Sequence, residues 1–256
     1  MKAQKTEAKK EKPAIKGALV ILSESWWIYK ERFHDLLGYS AWILLPYLGI
    51  ATMYFLLSVD QLISWTFLPI YIVLILAQIL VALWATNALM LFINQILDGE
   101  KEPDNEKINQ SAWQLIMPLV IVGLLHTLVI LGGFLLLIIP GIIFSVWYLF
   151  AQISVVLDNK RGMAALSFSR SLVKGRFWQI LHRSAIGPMI MIAVYLLGIS
   201  IIFGIGYLLG AEAPTDEMVM IPAWMDVVEN IADVLFLPMF LVYWTILYRN
   251  VKKTKV

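Results

Sequence analysis

The chain contains no cysteine, which excludes disulfides, thiolate metal sites and cysteine nucleophiles. It is also poor in charge: Asp, Glu, Lys and Arg make up 15% of its 256 residues, against about 25% in a soluble domain. So few charged side chains cannot clothe a water-facing surface, because 60% of the chain is hydrophobic and its mean hydropathy is +0.78. Segments of about ten residues with alternating polarity, which a transmembrane β-barrel requires, are missing. So are the catalytic patterns HExxH and GxSxG, a paired-histidine motif and a glycine-rich phosphate loop. No catalytic residue, metal or cofactor is expected.

What is present is a series of apolar runs long enough for helices of about 20 residues that cross a bilayer. Six qualify: 38–59, 63–87 with an extension as far as 97, 113–139, 142–157, 185–209, and a last run that begins between Ala223 and Ile231 and ends at Tyr248. Pro140-Gly141 is the expected break between the third and fourth. The expected fold is all-α and integral to the membrane, with six transmembrane helices in three hairpins.

Lysine and arginine mark the cytoplasmic side of a membrane protein. With six spans, all 20 Lys and Arg fall in one set of connections: the N-terminal stretch, 98–112, 158–184 and the C-terminal stretch. The other set, Asp60-Gln61, Pro140-Gly141 and 210–222, has none and carries Glu212, Asp216 and Glu217. This partition predicts a multi-pass protein of the cytoplasmic membrane with both termini in the cytoplasm. Residues 1–16 hold six lysines and no apolar core of signal-peptide length, and read as a disordered basic tail rather than a cleaved leader. Residues 17–249 form the membrane domain and 250–256 a second basic tail.

Residues 22–41 (LSESWWIYKERFHDLLGYSA) align without gaps on 166–185 (LSFSRSLVKGRFWQILHRSA), with nine identities in twenty at an offset of 144. Polar letters coincide as well as apolar ones, at Ser25 and Ser169, Lys30 and Lys174, and Arg32 and Arg176. A third, looser copy begins at Asn109. These copies divide the domain into parallel units at 17–97, 105–158 and 162–249, each an amphipathic helix followed by two spans. An even number of spans per unit keeps every unit in one orientation, unlike inverted-repeat transporters.

In 163–181 the apolar residues recur at steps of three, four and five, with Arg170, Lys174 and, less squarely, Arg176 opposite. The earlier copy places Lys30 and Arg32 likewise. Such helices are expected to lie in the cytoplasmic interface, apolar face toward lipid and cations toward anionic headgroups. Trp26 and Trp178 favour that depth. The residues fit two readings: helices that only orient the hairpins, or a docking collar for lipid headgroups or a soluble protein partner of unidentified class. No nucleic-acid partner is expected.

Polar groups inside the spans are functional candidates by default. His126 lies in mid-span, with Gln78 and Gln152 as possible bonding partners, and Asp158 ends the fourth span. These four form a possible intramembrane polar site. Asp226, Glu229 and Asp233, spaced three and four apart, share a helix face and form a possible outer acidic site. Interhelical packing explains the amides equally well, as it does the small residues Gly132, Gly133, Gly198, Gly204 and Gly206.

The string LLLIIPGIIFSVWYLFAQISVVLD (135–158) followed by ALSFSRSLVKGRFWQIL (165–181) resembles the signature of the YciC-like inner-membrane protein family, and is similar to the membrane domain attached to some glycerophosphodiester phosphodiesterases. Pro140-Gly141, Ser169, Leu172, Lys174, Gly175, Phe177 and Trp178 match the pattern, whereas Asp158 stands where the family commonly has glutamate. The resemblance implies a six-span prokaryotic membrane protein. It does not bring phosphodiesterase activity, which resides in a soluble domain this sequence does not contain. The expected function is non-enzymatic, in envelope or lipid homeostasis or as a partner scaffold. The alternative is a small transporter or channel-like carrier.

Overall fold

Away from water, a run of Leu, Ile, Val and Ala can satisfy its backbone only by closing each N–H on the carbonyl four residues back. The computed structural model describes residues 14–57, 59–62, 64–211 and 222–254, and among them only helices and their connections occur. The helices are α1 (Ala18–Glu31), α2 (Phe33–Ser40), α3 (Leu44–Leu56), α4 (Val59–Leu62), α5 (Leu68–Leu97), α6 (Asn105–Leu136), α7 (Ile138–Trp147), α8 (Ala151–Asp158), α9 (Gly162–Val173), α10 (Phe177–Leu208) and α11 (Ala223–Lys253). A 3₁₀ turn, Ala41–Ile43, joins α2 to α3.

Six stretches are long and apolar enough to cross a membrane: Phe33–Leu56, Leu68–Leu97, Asn105–Leu136, Ile138–Asp158, Phe177–Leu208 and Trp224–Lys253. The chain is a multi-pass membrane protein. Consecutive spans pack on one another, α3 on α5, α6 on α7 and α10 on α11. α11 also contacts α1, α2, α3 and α5. It is the central post: Val242, Tyr243, Leu247 and Val251 along it are fully buried.

Several boundaries move from their expected places. The third span ends at Leu136, and the break falls at Leu137, whose φ of −168° and ψ of 157° are extended. Pro140 has no N–H, and in a continuous helix its ring would meet the Leu136 carbonyl four residues back. The helix therefore stops before the proline, which then sits in the first turn of α7, where a missing donor costs nothing. Gly133 and Gly141 face each other across this tight junction: a Cβ on Gly133 would lie 3.1 Å from the Gly141 Cα. Gly206 similarly admits Trp224, whereas Gly132, Gly198 and Gly204 have open space beside them.

The expected tails are shorter. Ile15 is buried, and the backbone N–H of Lys16 donates to Asn250 Oδ1 at 2.9 Å. α11 continues through Lys253. Residues 1–13, 212–221 and 255–256 lie outside the described set, and with them most of the expected N-terminal tail and of the acidic 210–222 connection.

Both copies of the repeated segment break just before the equivalent phenylalanine. Arg32 (φ −111°, ψ 26°) precedes Phe33, and Arg176 (φ −135°, ψ 20°) precedes Phe177. α1 lies on α10 and α11, while α9 lies on α6, α7 and α8. The expected lipid-facing stripe of α9 is corrected accordingly: Leu166, Leu172 and Val173 are buried against protein. Trp26, Trp27, Met163 and Trp178 keep their exposed apolar surface.

Candidate functional site

The polar interactions of the bundle concentrate at one end, where the connections that carry the cations meet. Arg249 of α11 donates to the Asn94 and Leu97 carbonyls at 2.9 and 3.3 Å and to Asp98 Oδ1 at 2.5 Å, closing the C-terminus of α5. The Asn94 carbonyl also accepts from the Asp98 N–H at 3.0 Å, and a cation at this helix end complements the helix dipole. Arg176 does the same for α11, through the Val251 carbonyl at 3.1 Å and Thr254 Oγ1 at 2.7 Å. Arg183 reaches the Ile15 and Lys16 carbonyls at 2.9 and 2.6 Å.

The candidate headgroup residues therefore divide. Arg176 is bonded within the protein, and burial pushes its pKa below the ordinary arginine value. Arg170 and Lys174 are exposed on α9. They line a cavity of about 340 Å³ together with Ser167, Tyr148, Met163 and Val129. The Arg170 guanidinium stacks on Trp147 at 4.3 Å from the ring centroid, which fixes its plane without neutralising it. Two cations and a hydroxyl over a wall of Val129 and Met163 can hold an anionic group at a membrane surface. Lys30 and Arg32 lie on the other copy, where Arg32 pairs loosely with Asp35 at 3.6 Å.

α9 is placed by Ser169. Its hydroxyl accepts from the Phe150 N–H at 3.0 Å and donates to the Trp147 carbonyl at 2.8 Å. These are the backbone groups released where α7 ends and α8 begins, so one side chain from α9 satisfies the break in the fourth span. The equivalent Ser25 bonds within its own helix, to the Ile21 carbonyl at 2.7 Å.

Of the four residues expected to form an intramembrane site, Asp158 is drawn elsewhere. Asp158 sits at the end of α8, bonded to the Tyr248 hydroxyl and the Lys252 ammonium. Its role is a tie between α8 and α11. Gln152 is exposed and approaches Gly123 on α6. His126 Nε2 and Gln78 Oε1 are buried without a hydrogen-bond partner among the described residues. The acidic stripe is also split. Asp226 accepts from the Tyr47 hydroxyl of α3 at 2.6 Å, and Asp233 from the Tyr195 hydroxyl of α10 at 2.6 Å. Glu229 lies between them on α11, partly buried.

Sequence reasoning missed a second and larger cavity, about 480 Å³, between α2, α5 and the start of α6. Its aromatic walls come from two distant segments, Tyr39 and Trp42 on one and Trp84 and Phe92 on the other. The one local signal was Asn105 and Asn109, two amides one turn apart at the mouth of an apolar helix. Among the described residues no group of three His, Cys, Asp or Glu side chains is placed to hold a metal ion. No family model matches this chain, and neither a curated protein nor a solved structure is similar enough to count as a match.

Proposed function

We propose that this is a non-enzymatic protein of the cytoplasmic membrane that binds phospholipid at the cytoplasmic face and serves lipid or envelope homeostasis. The observation that carries the reading is the α9 cavity, where Arg170 and Lys174 stand over the apolar surface of Val129 and Met163. A phosphate needs cations and donors, its acyl chains need an adjoining apolar wall, and each cation near an anionic surface contributes about 1 kcal/mol. The partition of all 20 Lys and Arg into one set of connections supports a cytoplasmic location for this end and for both termini. The match of Pro140-Gly141, Ser169, Lys174 and Trp178 to the YciC-like pattern supports membership of that family.

The test is lipid binding by the purified protein, read by native mass spectrometry with phosphatidylglycerol. Wild type should retain the anionic lipid, and the double substitution Arg170→Gln/Lys174→Gln should lower its affinity about tenfold. Equal affinity in the two proteins would remove the α9 cavity as a lipid site.

A carrier function is the second reading, favoured by Nε2 of His126 and Oε1 of Gln78, which are buried without a hydrogen-bond partner among the described residues on the packed helices α6 and α5. Ion or solute flux in proteoliposomes that is abolished by His126→Phe would select it over lipid binding.

A further inference from the structure

The larger cavity differs in chemistry from the α9 site. Trp42 and Trp84 form two of its walls, with ring centroids 6.4 Å apart and planes at 86°. Tyr39 adds a third wall, 6.3 Å from Trp84 and inclined by 53°. Three rings set at such angles line one corner of the cavity, and an aromatic face there attracts an ammonium group. Asp35 supplies a carboxylate to the same cavity. Its pairing with Arg32 is long, at 3.6 Å, and its side chain is 51% exposed, so the pair is weak and the carboxylate is available.

The same cavity also offers amide side chains, from Asn105 and Asn109. The Trp84 indole N–H donates to Asn109 Oδ1 at 2.8 Å. An indole nitrogen can only donate, so this bond fixes the orientation of the amide. The Asn109 NH₂ is left for a ligand. The Tyr39 hydroxyl donates to Asn105 Oδ1 at 2.8 Å. The two amides lie one turn apart at the start of α6. A negative group here would meet the amide donors, while the helix end itself is already capped by Asp104, which accepts the Lys107 N–H at 3.1 Å and pairs with the Lys107 ammonium at 2.9 Å.

We propose that the cavity between α2, α5 and α6 binds a zwitterionic aminophosphate headgroup, such as the phosphoethanolamine of a membrane lipid. Its ammonium lies among Trp42, Trp84, Tyr39 and Asp35, and its phosphate on the amides of Asn105 and Asn109. This deepens the lipid-binding function and rests on it. It adds a second site with opposite headgroup preference to the α9 cavity. Trp42 is 55% exposed on the outer surface of the bundle, which gives the acyl chains an apolar path alongside the headgroup.

The full-length protein in detergent is titrated with phosphatidylethanolamine, with phosphatidylglycerol and with water-soluble phosphoethanolamine, and bound ligand is counted by native mass spectrometry. The variants are Trp42→Leu, Asp35→Asn and Arg170→Gln/Lys174→Gln, with Trp42→Phe as a control that keeps an aromatic face. Trp42→Leu and Asp35→Asn are expected to weaken phosphatidylethanolamine about tenfold and leave phosphatidylglycerol unchanged, and Trp42→Phe to restore most of the binding. The α9 variant is expected to do the reverse. Phosphatidylethanolamine affinity that is unaltered in both cage variants overturns the proposal. Phosphatidylglycerol affinity that is unaltered in the α9 variant overturns the α9 site and leaves the cage standing. Soluble phosphoethanolamine that binds as tightly as the lipid, with the same sensitivity to Trp42→Leu, overturns the lipid as occupant.

Discussion

Ser169 of α9 accepts the Phe150 N–H at 3.0 Å, nineteen residues back along the chain, where the fourth span is broken. That single hydroxyl also takes up the Trp147 carbonyl. Replacement by alanine would leave a donor and an acceptor unpaired beside buried apolar groups, a cost of about 1–3 kcal/mol. Ser169→Ala is expected to lower the midpoint of thermal unfolding in detergent, while Ser25→Ala, whose hydroxyl serves only its own helix, should have little effect. Equal midpoints for Ser169→Ala and wild type would show that water reaches the break.

Arg249 joins α11 to the end of α5 with its side chain only 16% exposed. Hydrogen bonds from a charged donor contribute about 1.5–3 kcal/mol in such surroundings. Arg249→Gln should therefore destabilise the protein measurably, and it should also accelerate hydrogen exchange of the amides near residue 98. Lys253, exposed one turn later on the same helix, makes a suitable comparison: Lys253→Gln should be neutral.

Gly187 and Gly198 lie on the same helix and should respond oppositely to alanine. A Cβ at Gly187 would run into the Tyr243 ring, whose hydroxyl is held at 2.5 Å by the Arg183 carbonyl and so cannot easily give way. Overpacking of this kind costs about 1–3 kcal/mol. At Gly198 nothing stands within 4 Å, and alanine should be neutral or stabilising by about 0.5–1 kcal/mol through its better helix propensity. Unfolding midpoints of the two variants, measured side by side, check this.

Because the chain has no cysteine, single cysteines report location without background. Asp60→Cys and Asp216→Cys should react with an impermeant maleimide added to intact cells, and Lys160→Cys only after the membrane is opened. The reverse pattern would invert the orientation and with it the cytoplasmic placement of both lipid sites.

The six apolar runs were legible because hydropathy over about 20 residues is a local property. The partition of Lys and Arg was legible for the same reason, and the structure gathers those connections at one end of the bundle. Tertiary bonds were not legible. Nothing in YLFA (148–151) announces a break, since the group that satisfies it belongs to another helix. Arg176 and Lys174 look alike in the alignment, yet one caps α11 and the other faces outward. Asp226 and Asp233 share a helix face in sequence but are drawn to tyrosines on different helices. The aromatic corner needs Tyr39, Trp42 and Trp84, which spacing alone does not bring together.

The packing of α1 bears on how the chain is assembled. α1 is synthesised well before its main partners α10 and α11, and the Lys16–Asn250 bond spans 234 residues. Contacts of such long range form late and slowly. α1 can therefore complete its packing only once α10 and α11 have been made. Its docking is a late event of folding, and the far end of α11 is its latch.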